Sequence, residues 1–255
     1  MQGLENSIVV VTGGGGGIGS AACLRLAQEG ARVAVLDRDL AAAQATAERI
    51  QNNQGQALAL ACDITQRAQV DAAIQAIHQA WGAVNVLVNN AGWDVFKPFT
   101  QTTEQDWERL IAINLTGALH MHHAVLPDMV EQKRGRIVNV ASDAARVGSS
   151  GEAVYAACKG GLVAFSKTLA REHARHNITV NVVCPGPTDT ALLAGVTDAA
   201  PNPEKLRDAF VKAIPLGRLG QPQDLASAIA FFASDDASFI TGQVLSVSGG
   251  LTMNG

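Results

Sequence analysis

The chain has 255 residues, 47% of them hydrophobic and 16% charged, with 25 glycines. That composition excludes a disordered chain, and the length suits one α/β domain with both faces of its sheet covered. A formal net charge of −4 leaves no basic excess for neutralising phosphates, so no nucleic-acid partner is expected.

No apolar run approaches the roughly 20 residues of a membrane-spanning helix. The first residues carry neither the basic nor the apolar region of a secretory signal. A cytoplasmic location without a membrane partner is expected. Cys23, Cys62, Cys158 and Cys184 are far apart and form no CxxC pair. They read as small buried hydrophobes rather than as metal ligands or disulfides.

Short apolar runs alternate with helix-period segments along the chain. Strands are predicted at 8–11, 33–36, 57–61, 84–88, 136–140, 178–183 and 243–247. Helices are predicted at 20–28, 40–51, 66–80, 103–131, 153–173 and 224–233. This alternation predicts βαβ crossovers. The expected fold class is therefore α/β: one doubly wound Rossmann domain over 1–255, a seven-stranded parallel sheet with helices on both faces. The segment 185–215 contains five prolines and is the least regular stretch. It follows the sixth strand on the ligand side of such sheets, and reads as a substrate lid, or else as a plain surface loop.

Thr12-Gly13-Gly14-Gly15-Gly16-Gly17-Ile18-Gly19 directly follows the first strand. Glycines there let the backbone approach a pyrophosphate at a helix N-terminus. Two spacings fit: Gly14, Gly16 and Gly19, or Gly13, Gly17 and Gly19. Asp37 ends the second strand, 18 residues after Gly19. A carboxylate there accepts both ribose hydroxyls of NAD and repels the 2′-phosphate of NADP, so NAD is the expected cofactor. Capping of the next helix falls to Asp39. Asp63 ends the third strand and either receives the adenine amino group or acts as a turn residue.

Tyr155 is the only tyrosine, and Lys159 stands four residues on, on the same helix face. A neighbouring ammonium favours the phenolate, which makes a proton acceptor for an alcohol losing hydride. Ser142 lies just past the fifth strand, where a hydroxyl holds a substrate oxygen. Asn114 sits in the preceding long helix.

With these motifs the chain resembles the short-chain dehydrogenase/reductase family over essentially its whole length. The resemblance implies that Thr12, Gly13, Gly17, Ile18 and Gly19 hold the pyrophosphate, Asp37 the ribose and Asp63 the adenine. It implies that Asn90, Ala91 and Gly92, in the Asn-Asn-Ala-Gly turn after the fourth strand, support the cofactor pocket. Pro185, Gly186 and Thr188 would border the nicotinamide. Asn114, Ser142, Tyr155 and Lys159 would be the catalytic four, with Tyr155 and Lys159 also touching cofactor. Segments 93–99, 120–123, 142–152 and 248–255 resemble those of family members acting on alicyclic hydroxyacyl-CoA thioesters in benzoate degradation. That makes an acyl-CoA thioester the expected small-molecule partner. Trp93, Phe96 and Phe99 would form an apolar wall for the ring, or else pack into the core. Arg146, with Lys97, Lys205, Arg207 and Lys212, would offer cations to CoA. A homo-oligomer, a tetramer, is expected. Reduction of 3-oxoacyl thioesters and a non-catalytic dinucleotide sensor are the alternatives. In a helix His120 and His122 do not share a face; His120 and His123 could, but no third metal ligand is evident. The three read as polar helix or subunit-contact residues, and no metal is expected.

Overall fold

A computed structural model describes residues 1–198 and 202–253. Pro201, Asn254 and Gly255 lie outside the described residues. All seven expected strands form, as β1 (Ile8–Thr12), β2 (Arg32–Asp37), β3 (Gln56–Ala61), β4 (Val86–Asn89), β5 (Gly135–Val140), β6 (Ile178–Pro185) and β7 (Val244–Val247). They are parallel, in the order β3-β2-β1-β4-β5-β6-β7. Every residue of β1, β4 and β5 is buried, as in a sheet covered on both faces. β4 starts two residues later than expected because the Val84 N–H donates to the Asp128 carboxylate rather than to a ladder.

The helices are α1 (Gly17–Gln28), α2 (Leu40–Asn52), α3 (Arg67–Ala80), α4 (Glu104–Ile111), α5 (Gly117–Gln132), α6 (Ala144–Val147), α7 (Ala153–His173), α8 (Ala191–Asp198), α9 (Pro203–Ala213) and α10 (Pro222–Ala233). Side-chain alternation along β1 divides the core. Val9 and Val11 pack with Leu26, Ile50 and Ile229 of α1, α2 and α10, while Val10 packs with Ile77, Met121 and Leu169 of α3, α5 and α7. Asp39 caps α2 by accepting the Ala41 and Ala42 N–H groups, as its position suggested.

Two expectations need correcting. The predicted helix 103–131 is not one regular helix. A π turn at Ala112–Thr116 separates α4 from α5, and Asn114 sits in it. Asn114 Nδ2 donates to Leu110 O at 3.0 Å and to Trp93 O at 2.7 Å, so the extra residue re-aims an amide across to the loop after β4. The segment 185–215 is also more regular than expected, since it contains α8 and α9. Pro203 starts α9 rather than breaking a helix, and Asn202 caps it by accepting the Lys205 N–H.

A polar network lies under the site. Asn89 Nδ2 donates to Asn139 Oδ1, Asn139 Nδ2 donates to Ser166 Oγ, and His122 Nδ1 donates to Ala118 O. His122 is 1% exposed and packs edge-on against Phe165, so it is a core residue rather than a helix-surface or subunit-contact one. Burial pushes its pKa down from 6.5 to about 4. The unfolded chain therefore takes up the proton first. Stability that is present above pH 6.5 is lost as pH falls toward 4, by about 3 kcal/mol. His122→Gln is expected to flatten this loss. Urea unfolding midpoints at pH 7 and pH 4.5 check it, and an unchanged pH dependence would refute the assignment.

Candidate active site

A cavity of about 970 Å³ opens at the C-terminal ends of the strands. Strand order reverses there between β1 and β4, the place where open α/β sheets leave a crevice. Its walls include residues from the loops after β1 through β6.

One end is a glycine cradle. Gly13 has φ +62°, and a Cβ on it would lie 2.9 Å from Ala91 Cα. A Cβ on Gly19 would lie 2.0 Å from Gly13 O, so α1 reaches the loop only because residue 19 has no side chain. Gly13 and Gly17 carry the positive φ values, which selects the Gly13, Gly17, Gly19 spacing. Gly16, the N-cap of α1, has no side chain to cap it, and Gly16, Gly17 and Ile18 line the cavity, so the N-terminus of α1, whose first N–H groups lack intrahelical partners, opens on it. Asp37 also lines the cavity. Its Oδ2 accepts the Gly15 N–H and its Oδ1 the Asp39 N–H, both at 3.0 Å. A carboxylate beside free helix N–H groups fits a dinucleotide's ribose and pyrophosphate. Ile18, Asp63, Asn90, Ala91, Gly92, Pro185, Gly186 and Thr188 line the same cavity. Asp63 Oδ1 accepts from the Thr65 N–H and hydroxyl, which are turn-forming bonds.

Thr12 and Gly19 act differently from the expectation. Neither is among the cavity-lining residues. Thr12 Oγ1 accepts the Asn90 and Ala91 N–H groups at 3.1 Å, and Asn90 Nδ2 donates to Thr12 O and Gly13 O. These bonds hold the turn after β4 against the glycine loop, a positioning role.

Ser142, Tyr155 and Lys159 gather at the other end of the cavity. Lys159 Nζ donates to Val140 O at 2.9 Å and lies 5.7 Å from the Tyr155 ring centroid. Ser142 Oγ accepts the Ala144 N–H at 3.1 Å and lines the cavity with Tyr155. Burial pushes Lys159 down to about 8. The expected acidification of Tyr155 is not what these groups produce together. Burial raises its pKa well above the usual phenol range, and the charges of Asp94 and Glu152 add to that, while Ser142 lowers it. Asn114 is 1% exposed and does not line the cavity. Its amide clamps the Trp93 backbone at both N–H and C=O. A Cβ on Gly92 would lie 3.1 Å from Asn114 Oδ1 and 3.4 Å from Lys159 Nζ, so both groups approach the face of Gly92 that a side chain would occupy.

On the outer wall, Trp93 and Phe96 line the cavity with Leu192, Leu193, Val196 and Phe210 of α8 and α9. Phe99 does not join them. It stacks on Trp107 with centroids 5.5 Å apart, because the Thr102 and Trp107 side chains bond to each other and draw that ring over. Arg146 is not among the lining residues either. Its Nη1 donates to Ser246 Oγ on β7 at 2.7 Å. Lys97 pairs with Asp106, and Arg207 pairs bidentately with Asp189. Lys205 and Lys212 face a smaller hollow on α9. Sequence reasoning missed Arg109, Asp94 and Glu152, all of which line the main cavity. The Arg109 guanidinium lies 3.9 Å over the Trp93 ring. The only local signal was the nearness of Asp94 to Trp93 and of Glu152 to Tyr155; Arg109 had none.

The four cysteines are buried with free thiols, and burial raises the pKa of each. Among the described residues no helix is long and apolar enough to cross a membrane.

The family described as enoyl-(acyl carrier protein) reductase matches residues 13–252. A 3-oxoacyl-[acyl-carrier-protein] reductase (FabG) of Thermotoga maritima is 36% identical, covering 98% of this chain and 99% of its own. The (2S)-[(R)-hydroxy(phenyl)methyl]succinyl-CoA dehydrogenase subunit BbsD of Thauera aromatica is 37% identical over 99% of both chains. Among solved structures, levodione reductase superposes with a TM-score of 0.94 at 31% identity, covering 96% of this chain and 97% of that one. The crevice, the glycine cradle and the Tyr155–Lys159 pair thus agree with these likenesses: the chain belongs to the short-chain dehydrogenase/reductase family, oxidoreductases that interconvert secondary alcohols and ketones with a nicotinamide dinucleotide.

Proposed function

We propose that the protein is an NAD-linked dehydrogenase that oxidises 2-hydroxycyclohexane-1-carbonyl-CoA to its 2-oxo thioester, working in the cytoplasm as a homotetramer. The observation that carries the reading is one cavity holding Ser142, Tyr155 and Lys159 at one end and the glycine cradle with Asp37 at the other. The apolar Trp93 and Phe96 suit an alicyclic ring, and one relative is named as a CoA-thioester dehydrogenase.

In this reading Ser142 holds the substrate oxygen and Tyr155 takes the hydroxyl proton at its phenol oxygen. Lys159 sets the charge beside Tyr155 and reaches the cofactor ribose. Asn114 fixes Trp93, and the free N–H groups of α1 receive the pyrophosphate. When bound, the nicotinamide ring supplies the hydride chemistry. The helices α8 and α9 act as the lid.

NAD reduction followed by absorbance, across cyclic and linear hydroxyacyl-CoA thioesters, tests the proposal. Turnover of the cyclic thioester is expected, and no turnover of any hydroxyacyl-CoA would overturn it. A second reading, reduction of a 3-oxoacyl thioester, is favoured by the raised pKa of Tyr155, because a phenol that keeps its proton is an acid for an incoming alkoxide. Running the same assay from the ketone with NADH and NADPH separates the two.

Cofactor choice rests on Asp37. The wild type is expected to prefer NAD. Asp37→Asn keeps an acceptor for the Gly15 N–H and removes the charge that repels a 2′-phosphate, so the preference should shrink by ~10- to 100-fold. Comparing kcat/KM with NAD and NADP measures it, and equal use of both by the wild type would refute the role.

A further inference from the structure

One cation at the substrate end of the cavity has no carboxylate of its own. Among the described residues, Arg38, Arg109 and Lys159 are the cations that line the cavity. Arg38 follows Asp37 at the dinucleotide end, and Lys159 is buried with its ammonium donating to Val140 O. Arg109 is exposed and stands in the last turn of α4. Its guanidinium lies 3.9 Å over the Trp93 ring.

The nearby acids do not claim it. Asp106 stands three residues before it, a spacing at which an acid and an arginine on one helix can pair. The Asp106 carboxylate instead accepts the Thr103 N–H in the cap of α4 and pairs with Lys97. Asp94 and Glu152 line the same cavity, yet neither forms an ion pair with Arg109 among the described residues. Burial above all pushes the pKa of Asp94 up to about 7, which weakens its opposing charge near neutral pH.

The seat of this cation is built. Asn114, in the π turn that follows α4, accepts the Trp93 N–H at 3.2 Å and donates to Trp93 O at 2.7 Å. The indole is thus anchored through its own backbone, and its face in turn holds a planar cation. Ala112 and Ile113 of the π turn line the cavity as well, so this side of α4 belongs to the substrate end. A guanidinium placed in advance on an aromatic face, with its N–H donors unused by the described residues, suits an anionic oxygen group that it can bind bidentately.

We infer that the substrate carries an anionic oxygen group beyond its reacting carbinol, a phosphate or a carboxylate, and that Arg109 receives it and selects such substrates over neutral alcohols. The inference rests on the function proposed above for the alcohol that reacts. In that reading the anion is a phosphate of the CoA handle; the carboxylate of a free hydroxy acid presents the same chemistry.

The test uses the 2-hydroxycyclohexane-1-carbonyl group in three forms: its CoA thioester, its uncharged pantetheine thioester and the free acid. Values of kcat/KM for NAD reduction are compared. The wild type is expected to prefer an anionic form over the pantetheine thioester by about tenfold or more, the size of a hydrogen bond to a charged group. The form preferred identifies the anion as phosphate or carboxylate. Arg109→Gln should lose most of this preference, with the change carried by KM. Arg109→Lys should recover part of it, because it restores the charge but not the planar fork. Trp93→Leu keeps an apolar wall and removes the aromatic seat, so it should lose preference too, and in the double variant the two losses should not add. Fluorescence titration with NADH confirms that each variant is folded.

A wild type without the preference, or a folded Arg109→Gln that keeps it, would overturn the inference; so would an equal loss on all three forms, the mark of a structural role. In each case turnover of the CoA thioester leaves the proposed function standing. Arg109-dependent turnover of the free acid, with none of any hydroxyacyl-CoA, would uphold the inference and overturn the proposed function. Turnover of none of the three forms would overturn both. If Arg109→Gln does not fold, the wild-type ratio and Arg109→Lys decide.

Discussion

Tyr155→Phe is expected to bind NADH as the wild type does and to transfer hydride ~10²- to 10⁴-fold more slowly. The substitution removes one oxygen, keeps the ring that packs with Leu110 and Ala144, and leaves the glycine cradle untouched. The wild-type oxidation rate should climb with pH, because the phenolate is the working form and the phenol is pushed upward by burial, Asp94 and Glu152. Lys159→Ala removes a cation 5.7 Å from the Tyr155 ring centroid, so that limb should move to still higher pH and cofactor binding should weaken. Single-turnover hydride transfer against pH, for all three proteins, measures both effects. Near-normal transfer by Tyr155→Phe would place the proton acceptor elsewhere.

Gly19→Ala is the second large effect expected. Its Cβ would fall 2.0 Å from Gly13 O and 2.5 Å from Asn90 Nδ2. The first obstacle is backbone, so α1 must move away from the loop. Overpacking of this kind costs ~1–3 kcal/mol. The movement also displaces the free N–H groups of Gly17 and its neighbours from the cavity, and disturbs the Asn90 bonds to Thr12 O and Gly13 O. NADH affinity should fall by about 100-fold, the order of loss that a misplacement of about 1 Å causes in a positioned site. Fluorescence titration reports the affinity and urea unfolding reports the stability. Unchanged affinity in a folded Gly19→Ala protein would show that the N-terminus of α1 does not hold the dinucleotide.

Much of this was written in local pattern. The buried runs of β1, β4 and β5 have no alternation because both sheet faces are covered, and the glycine run at the start of α1 announces a cradle through residues that lack Cβ atoms. Tyr155 and Lys159 share a helix face by spacing alone. Asp39 as a cap and Asp37 as the cavity carboxylate were likewise separable, because a cap must sit directly before its helix.

What needed the tertiary structure was the direction in which polar groups point. Arg146 lies four residues after Ser142, but it bonds to Ser246 on β7, a hundred residues away. Phe99 follows the aromatic wall in sequence and leaves it in space, drawn to Trp107. Asn114 sits in a π turn whose extra residue no hydrophobic period records, since the apolar face continues on either side of it. Thr12 looked like a phosphate ligand and instead ties two loops together.

By itself, then, the sequence determined the seven-stranded α/β architecture, the glycine cradle and the Tyr155–Lys159 pair, because each depends on burial periodicity or on spacing within a single element. Only the tertiary structure decided which carboxyls and cations line the cavity: Asp94 and Glu152 both do although 58 residues separate them, and Arg109 settles on Trp93 from another helix. Pairings of that kind, and the pKa values that follow from them, depend on charges brought together by chain crossings and on water excluded from the cavity, and no local pattern encodes either.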